Sequence, residues 1–452
     1  MKFKRKIYDQ LLDWKQKKNG TTALLIEGAR RIGKTTVVTE FADNEYKSSI
    51  IIDFSKVTEE FKDYFTKYIN DLDTLFMLLS VQYGVTLYDR ESLIVFDEVQ
   101  RCPKAREAIK HLVADGRYDY IETGSLISIR DNVKDIVIPS EEHSIKMYPM
   151  DFEEFCDALG EKMLSEYISK CFEKKIPLER GLHDRAMLVF KQYMLIGGMP
   201  QSVDAFVTSH KHFDLADEKK RDILALYRND MSKIEGRYRS KVIKVFDQLP
   251  GLLSKHEKRV RLSGIAKDTM SEEFEDAFFW LDDSMIANVC VRSNDPNVGL
   301  SLTEDRSYVK CYLGDTGLLV SHAFDENALM EDEVYKQILN DKLSLNKGML
   351  YENIIAQMLS SSGHRLFYYT EYNPDKHRND IEIDFILSKD GKVNSKIIPI
   401  EVKSGKRYKT KSLDGFKKKF RKRIDTAIII HPKNLSFKDD ILCIPPYMTF
   451  CL

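Results

Sequence analysis

The chain has 452 residues, enough for two to four domains. Its 43% hydrophobic and 31% charged residues fit a folded globular protein and exclude a disordered one, and no apolar run reaches the roughly 18 residues that cross a bilayer. A net charge of −1 hides an asymmetry, because residues 403–423 carry eleven Lys or Arg against one acid, Asp414, which leaves the rest of the chain near −11.

The opening "MKFKRKIYDQLLDWKQ" is basic but has no apolar core or cleavage site, so it does not read as a signal peptide. Ile7, Leu11, Leu12 and Trp14 instead fall on one face of a helix. Residues 1–150 then alternate apolar strands, "ALLIEG", "SSIIIDF", "SLIVFDE", "YDYIETG" and "SIKMYP", with helical stretches, the pattern of a parallel sheet flanked by helices. After the first strand comes Gly28-Ala29-Arg30-Arg31-Ile32-Gly33-Lys34-Thr35-Thr36. Glycines at the two ends of a strand-to-helix loop let backbone N–H groups wrap phosphates; Lys34 adds a cation at the β- and γ-phosphates, and Thr35 is placed for Mg²⁺. "SLIVFDE" ends in Asp97, at the end of the strand where ligands bind, and Asp97 is expected to hold the magnesium through water. Glu98 is then placed to orient and deprotonate an attacking water, which implies hydrolysis. The strand "YDYIETGS" ends with Thr123 and Ser125, either of which can contact the γ-phosphate or the water; Ser125 is slightly favoured of the two, and a simple turn is an equal reading.

On "GARRIGKT", "FDEVQRCP", "ETGSL", "MYPMDFEEF" and "LIGGMP", the chain resembles AAA-type ATPases of the additional-catalytic-glutamate class. More narrowly it resembles a bacterial and archaeal family of P-loop ATPases with a C-terminal nuclease-like domain, nearly end to end. The resemblance implies ATP and Mg²⁺ as cofactors. It also places Gly198-Met199-Pro200 of a helical lid near the nucleotide base, where a plain helix break is the other reading. The family's Ala-Gly-Arg segment is replaced by "SEEHSIK" ahead of "MYPMDFEEF", and no arginine finger is identified.

Residues 151–245 read as helical, interrupted at "LIGGMPQ"; residues 240–325 read as three short helices and two strands, "ANVCVRS" and "SYVKCYL", a winged-helix order. Its expected recognition helix, "SEEFEDAFFWLDD", is a poor DNA reader. Asp268 to Val291 hold seven acids and no Lys or Arg, which phosphates would repel, and Phe274, Phe278, Phe279 and Leu281 suit packing. A structural or protein-contact module is expected there, with a backbone contact left open by Lys255, Lys258, Arg259 and Arg261.

The last segment opens with the helix "GMLYENIIAQMLSSSG", then strands "LFYYTE", "IEIDFIL", "KIIPIEVKS" and "TAIIIHP", with a basic helix before the last. Period-two geometry sets Glu401 and Lys403 on one face of an apolar strand. With Asp384 in the preceding strand and Glu352 in the helix, this resembles the PD-(D/E)xK nuclease fold. The resemblance implies Asp384 and Glu401 as Mg²⁺ ligands, Lys403 as the catalytic lysine and Glu352 as an auxiliary carboxylate. The polar stretch "TEYNPDKHRND" before Asp384 is longer than expected for the family.

Cys102, Cys156, Cys171, Cys290, Cys311, Cys443 and Cys451 are scattered, with no CxxC, and read as buried free thiols of a reducing cytosol. The expected architecture is α/β throughout. A P-loop NTPase parallel sheet (1–155) is followed by a helical lid (156–240), a winged helix (241–325) and a restriction-endonuclease-like domain (326–452). The expected function is ATP hydrolysis coupled to nucleic-acid binding, with metal-dependent DNA cleavage by the C-terminal domain. The alternative is an ATP-driven switch or protein-interaction module with an inactive nuclease-like domain. Expected partners are ATP, nucleic acid at the basic C-terminal stretch and a protein at the acidic helix, with no membrane and a cytoplasmic location.

Overall fold

The computed structural model describes residues 2–124, 140–234, 238–255, 258–261, 270–297, 299–324, 331–340, 346–388 and 396–452; side chains of 261 and 270–274 are not described. It divides into two units, Lys2–Tyr148 with Asp283–Met285, and Pro149–Asp282 with Ile286–Leu452.

In the first unit, β1 (Ala23–Glu27), β2 (Ser48–Asp53), β3 (Ser92–Asp97), β4 (Asp119–Gly124) and β5 (Glu142–Lys146) form a parallel sheet in the order β2-β3-β4-β1-β5. β3 and β4 are buried along their whole length, as central parallel strands covered on both faces must be, and Ile94, Val95 and Phe96 supply the continuous apolar run this needs. Phe54, Phe61, Phe65, Phe96 and Tyr120 fill the core between sheet and helices. The first helix, Ile7–Lys18, buries Ile7, Leu11 and Trp14. Arg106 on the helix Pro103–Asp115 pairs with Glu142 of β5, both buried, at 2.9 Å.

The second unit begins with helices Phe152–Ala158, Lys162–Lys174, Arg180–Ile196, Pro200–Thr208, Phe213–Met231 and Tyr238–Ser254. A nine-stranded mixed sheet follows, from β6 (Val260–Arg261), β7 (Ala287–Ser293), β8 (Glu304–Leu313), β9 (Phe367–Asn373), β10 (Arg378–Ser388), β11 (Ile397–Val402), β12 (Ala427–Ile430), β13 (Ser436–Lys438) and β14 (Ile441–Ile444). The order is β13-β14-β12-β11-β10-β9-β7-β8-β6. Val291 and Arg292 of β7, the first of the two strands read in a winged-helix order, pair in parallel with Phe367 and Tyr368 of β9, and one sheet runs through. The polar stretch before Asp384 is a hairpin, in which β9 and β10 pair around the turn Pro374–His377. Two strands not foreseen, β13 and β14, close the far edge beside β12.

"LIGGMP" has a packing reason within this unit. Gly197 has φ 80°, a backbone that excludes most side chains, and a Cβ there would lie 2.0 Å from Asp315 Oδ1. A Cβ on Gly198 would lie 2.1 Å from the Met150 carbonyl oxygen. The buried Asp315 carboxylate accepts from the Gly198 N–H at 2.5 Å and from the Leu318 N–H at 2.9 Å. Pro200 then starts the next helix at a position where its missing N–H costs nothing. Lys220, also buried, bonds the Leu195 carbonyl and the Tyr335 hydroxyl, tying the helix Phe213–Met231 to Arg180–Ile196 and to Asp332–Leu339.

All seven cysteines are free thiols and six are buried. Among the described residues no helix is long and apolar enough to cross a membrane.

Candidate functional site

β1 delivers the chain into the phosphate loop, and the loop's backbone explains its residues. Gly33 has φ 94° and caps the helix Lys34–Glu45, while Arg31, exposed, also sits at a left-handed φ of 69°. A Cβ on Gly28 would meet the Met147 carbonyl oxygen at 2.5 Å. Ala29 and Ile32 are buried beneath the loop, Arg30 is half-buried and Thr36 is exposed. Lys34 Nζ donates to the Gly28 and Ala29 carbonyls, each at 2.9 Å. Packing around this ammonium brings its pKa down to about 8, opposed by the carboxylates of Glu98 and Asp97.

The Thr35 hydroxyl lies 3.1 Å from both oxygens of Asp97, and the Thr123 hydroxyl donates to Asp97 Oδ1. β4 lies between β1 and β3, so strand order alone carries Thr123 to Asp97. Glu98 follows with φ 54°, a strained backbone worth on the order of 1 kcal/mol that turns the chain out of β3. Its carboxylate accepts from Gln100 Nε2. Lys34, Thr35, Asp97, Glu98 and Thr123 thus gather at one end of the parallel strands; Ser125 lies outside the described residues. A hydroxyl and carboxylate oxygens in this arrangement are the hard donors that Mg²⁺ takes.

One residue of this site had no signal in the motif. Arg5, buried ahead of the first helix, donates to the Ile32 carbonyl and to the Tyr148 carbonyl, each at 2.7 Å. It ties the middle of the phosphate loop to the segment after β5. In the sequence it is one cation among several in a basic opening.

A second candidate cluster lies in the other unit. Phe385 of β10 pairs with Ile400 of β11, which brings Asp384 beside Glu401, and Asp384 Oδ2 accepts from the Val402 N–H at 2.8 Å. Lys403 Nζ lies 2.9 Å from Glu401 Oε1, on the same sheet face. Glu401 is 4% exposed and its Oε2 has no partner. Burial pushes its carboxyl up to about 7, Lys403 opposing and Asp384 adding to the shift. Glu352, on the helix Lys347–Ser361, pairs with Lys258 and accepts from the Tyr312 hydroxyl at 3.2 Å. Sequence reasoning missed Lys310 of β8, whose Nζ lies 3.5 Å from both Asp384 and Glu382. The available signal was a lysine inside the apolar run "YVKCYL".

The orphaned Glu401 Oε2 fits a divalent ion, whereas both Asp384 oxygens already have partners within the chain. Among the described residues, three donors within 4.8 Å of one another occur at His212, Asp214 and Asp332, where Lys336 already pairs with Asp332.

The basic stretch is partly spent within the protein. Lys419 bonds Tyr369 and Glu371, Lys417 the Asp439 carbonyl, and Arg423 pairs with Asp295. In the acidic helix Met270–Asp283, Ala277, Phe278 and Leu281 are buried; the side chain of Phe274 lies outside those described. Of the basic residues near it, Arg259 donates to Thr370 Oγ1 at 3.1 Å, so it and Lys258 both reach the C-terminal elements.

The parallel sheet, the glycine-framed loop and the Thr35–Asp97 pair define a P-loop nucleoside-triphosphatase core. Residues 20–156 match the family model described as an AAA domain. The chain therefore carries an AAA-type P-loop ATPase domain and is an ATP-hydrolysing enzyme. Residues 187–328 and 347–448 match two models described as domains of unknown function, DUF8612 and DUF4143. No curated protein matches the chain. Among solved structures, it is similar to the Walker-type ATPase PABY2304 of Pyrococcus abyssi at 14% identity, covering 71% of this chain and 96% of that one with a TM-score of 0.40. It is also similar to the ORC2 protein of Aeropyrum pernix, at 9% identity, 76% and 94% coverage and a TM-score of 0.35.

Proposed function

We propose that the chain is an ATP-driven nucleic-acid-binding protein, with a P-loop ATPase domain, a helical lid, a winged-helix segment and a PD-(D/E)xK-like C-terminal domain. In the ATPase domain, backbone N–H groups of residues 28–36 and Lys34 hold the phosphates, and Pro200 of the lid serves the nucleotide base. Thr35 and Asp97 hold Mg²⁺, which neutralises phosphate charge when bound. Glu98 accepts the proton of the attacking water, and Thr123 or Ser125 senses the γ-phosphate. The observation that carries the reading is the convergence of Thr35, Thr123 and Asp97 beside Lys34 and Glu98.

In the C-terminal domain, Asp384 and Glu401 are the carboxylates for a divalent ion, Lys403 the catalytic lysine and Glu352 the auxiliary carboxylate. Their support is the β10–β11 register and the unpartnered oxygen of Glu401. Nucleic acid is engaged by the basic stretch, where Lys418, Arg421 and Lys422 are exposed. The acidic helix serves packing or a protein partner. A second reading, an ATP-driven switch whose nuclease-like domain is inactive, is favoured by the chain-supplied cation Lys310 beside Asp384.

The test is cleavage of duplex, branched and single-stranded DNA with Mg²⁺ or Mn²⁺, with and without ATP, against Glu401→Ala. Cleavage lost in the variant supports the nuclease. Binding without cleavage supports the switch. Reversing Lys417, Lys418 and Lys419 is expected to weaken binding and lower the salt slope by roughly one log unit for each phosphate the variant no longer neutralises. An unchanged slope would mean that this stretch is an ordinary solvated face.

A further inference from the structure

β8 is buried from Val309 to Leu313, and Lys310 in its middle is 1% exposed. A buried ammonium is expensive unless opposite charge surrounds it. Lys310 Nζ lies 3.5 Å from Asp384 Oδ1 and 3.5 Å from Glu382 Oε1, and Glu352 is a further carboxylate acting on it. The Tyr368 ring lies 5.2 Å away. Two carboxylates within ion-pair distance of a lysine that water does not reach keep it in its charged form. At 3.5 Å the ammonium is not tightly bonded to either carboxylate; it lies between them and shares its charge.

The other carboxylates are matched as well. Lys258 pairs with Glu352 and Lys403 with Glu401, so the chain itself supplies the cations of the cluster. β8 lies between β7 and β6 in the sheet, and withdrawing its backbone would break the β7–β8 ladder.

We propose that Lys310 is the resident cation of this carboxylate cluster, a tethered ammonium beside the Asp384 carboxylate that the nuclease-like reading assigns to a divalent ion, so that Mg²⁺ or Mn²⁺ competes with it for Asp384. The proposal rests on the reading of Asp384 and Glu401 as nuclease-like carboxylates. A divalent ion entering beside Asp384 is repelled by an ammonium that water does not screen. Metal affinity is weak, and the cluster keeps its geometry without metal.

The experiment compares the full-length wild type, Lys310→Met, and Lys310→Met with Asp384→Asn. Mn²⁺ binding is read by electron paramagnetic resonance and thermal unfolding is followed in chelator; binding at the nucleotide site is common to all three and cancels. Lys310→Met is expected to bind Mn²⁺ at least about tenfold more tightly than wild type, since the repelling charge is gone. In chelator it melts lower than wild type, and the double variant recovers part of the loss because the uncompensated anion is gone too. Equal Mn²⁺ affinity in wild type and Lys310→Met, or an unchanged melting temperature in Lys310→Met, overturns the proposal. If Lys310→Met does not fold, the double variant decides: recovery of folding supports the proposal, and a double variant equally unfolded overturns it. Mn²⁺ bound only at the nucleotide site in all three proteins overturns the competition with Lys310 and the metal reading of Asp384 and Glu401 together.

Discussion

At the proposed nucleotide site the polar and charged groups come from short stretches. Lys34 and Thr35 lie in the phosphate loop, Asp97 and Glu98 at one strand end, and Thr123 at the end of the next strand in the sheet. At the carboxylate cluster, Lys310, Glu352, Asp384 and Glu401 come from four separate elements. In the first, backbone N–H groups are the proposed binding surface, and the loop demands glycine twice, for the left-handed φ of Gly33 and for the close approach of Gly28 to Met147. In the second, side chains meet only after strands have registered, and no local rule demands any of them. Motif chemistry is therefore legible where backbone does the work, and obscure where packing does.

Four substitutions test that contrast, in order of decreasing expected effect. Gly198→Ala is expected to cost about 3 kcal/mol or more of stability, because its Cβ would meet the Met150 carbonyl oxygen at 2.1 Å. Urea unfolding measures the loss. If stability holds and ATP affinity falls instead, "LIGGMP" belongs to the nucleotide site and not to packing.

Glu98→Gln is expected to bind ATP normally and turn over at least ~100-fold more slowly. Single-turnover hydrolysis read beside equilibrium binding checks it, and a wild-type rate removes Glu98 as the base.

Arg5→Met removes two bonds that hold the phosphate loop from a distance. Charge-assisted hydrogen bonds are worth about 1.5–3 kcal/mol, so ATP affinity should weaken roughly tenfold or more by calorimetry. An unchanged affinity with a lower melting temperature would make Arg5 a fold residue only.

The smallest effect is in acid. His431 is buried, and burial lowers its pKa from 6.5 to about 4. The unfolded chain therefore binds a proton there that the folded chain does not, and this residue's share of stability falls as pH drops from 6.5 towards 4. His431→Gln should be less acid-sensitive over that window by about 1 kcal/mol in urea titrations at about pH 7 and pH 5. Parallel pH curves for the two proteins would remove His431 from the acid response.

How much of this was legible depends on range. The parallel strands of the first unit follow from apolar runs such as "SLIVF", and the phosphate loop from its glycines. β10 and β11 were likewise visible, because Asp384, Glu401 and Lys403 stand out against Ile and Val. Lys310 stands out in the same way, yet its partners lie on another part of the sheet and pairing between distant strands leaves no periodicity to read. Arg5 was hidden for a different reason. Its targets are backbone carbonyls, which every residue has.

The β7–β9 pairing has a consequence for how the chain can be dissected. The Val291 N–H donates to the Leu366 carbonyl at 3.1 Å, and Val291 and Arg292 continue the ladder onto Phe367 and Tyr368. A cut anywhere between residues 325 and 345 would therefore part no loosely tethered bodies. It would part β6, β7 and β8 from the other six strands of one sheet, baring β7 on one fragment and β9 on the other. Both strands are largely apolar, and bare apolar edges recruit other chains. The fragments would be sticky halves of one cooperative block, and the C-terminal half would also have lost Lys310, the buried cation that its own carboxylates surround.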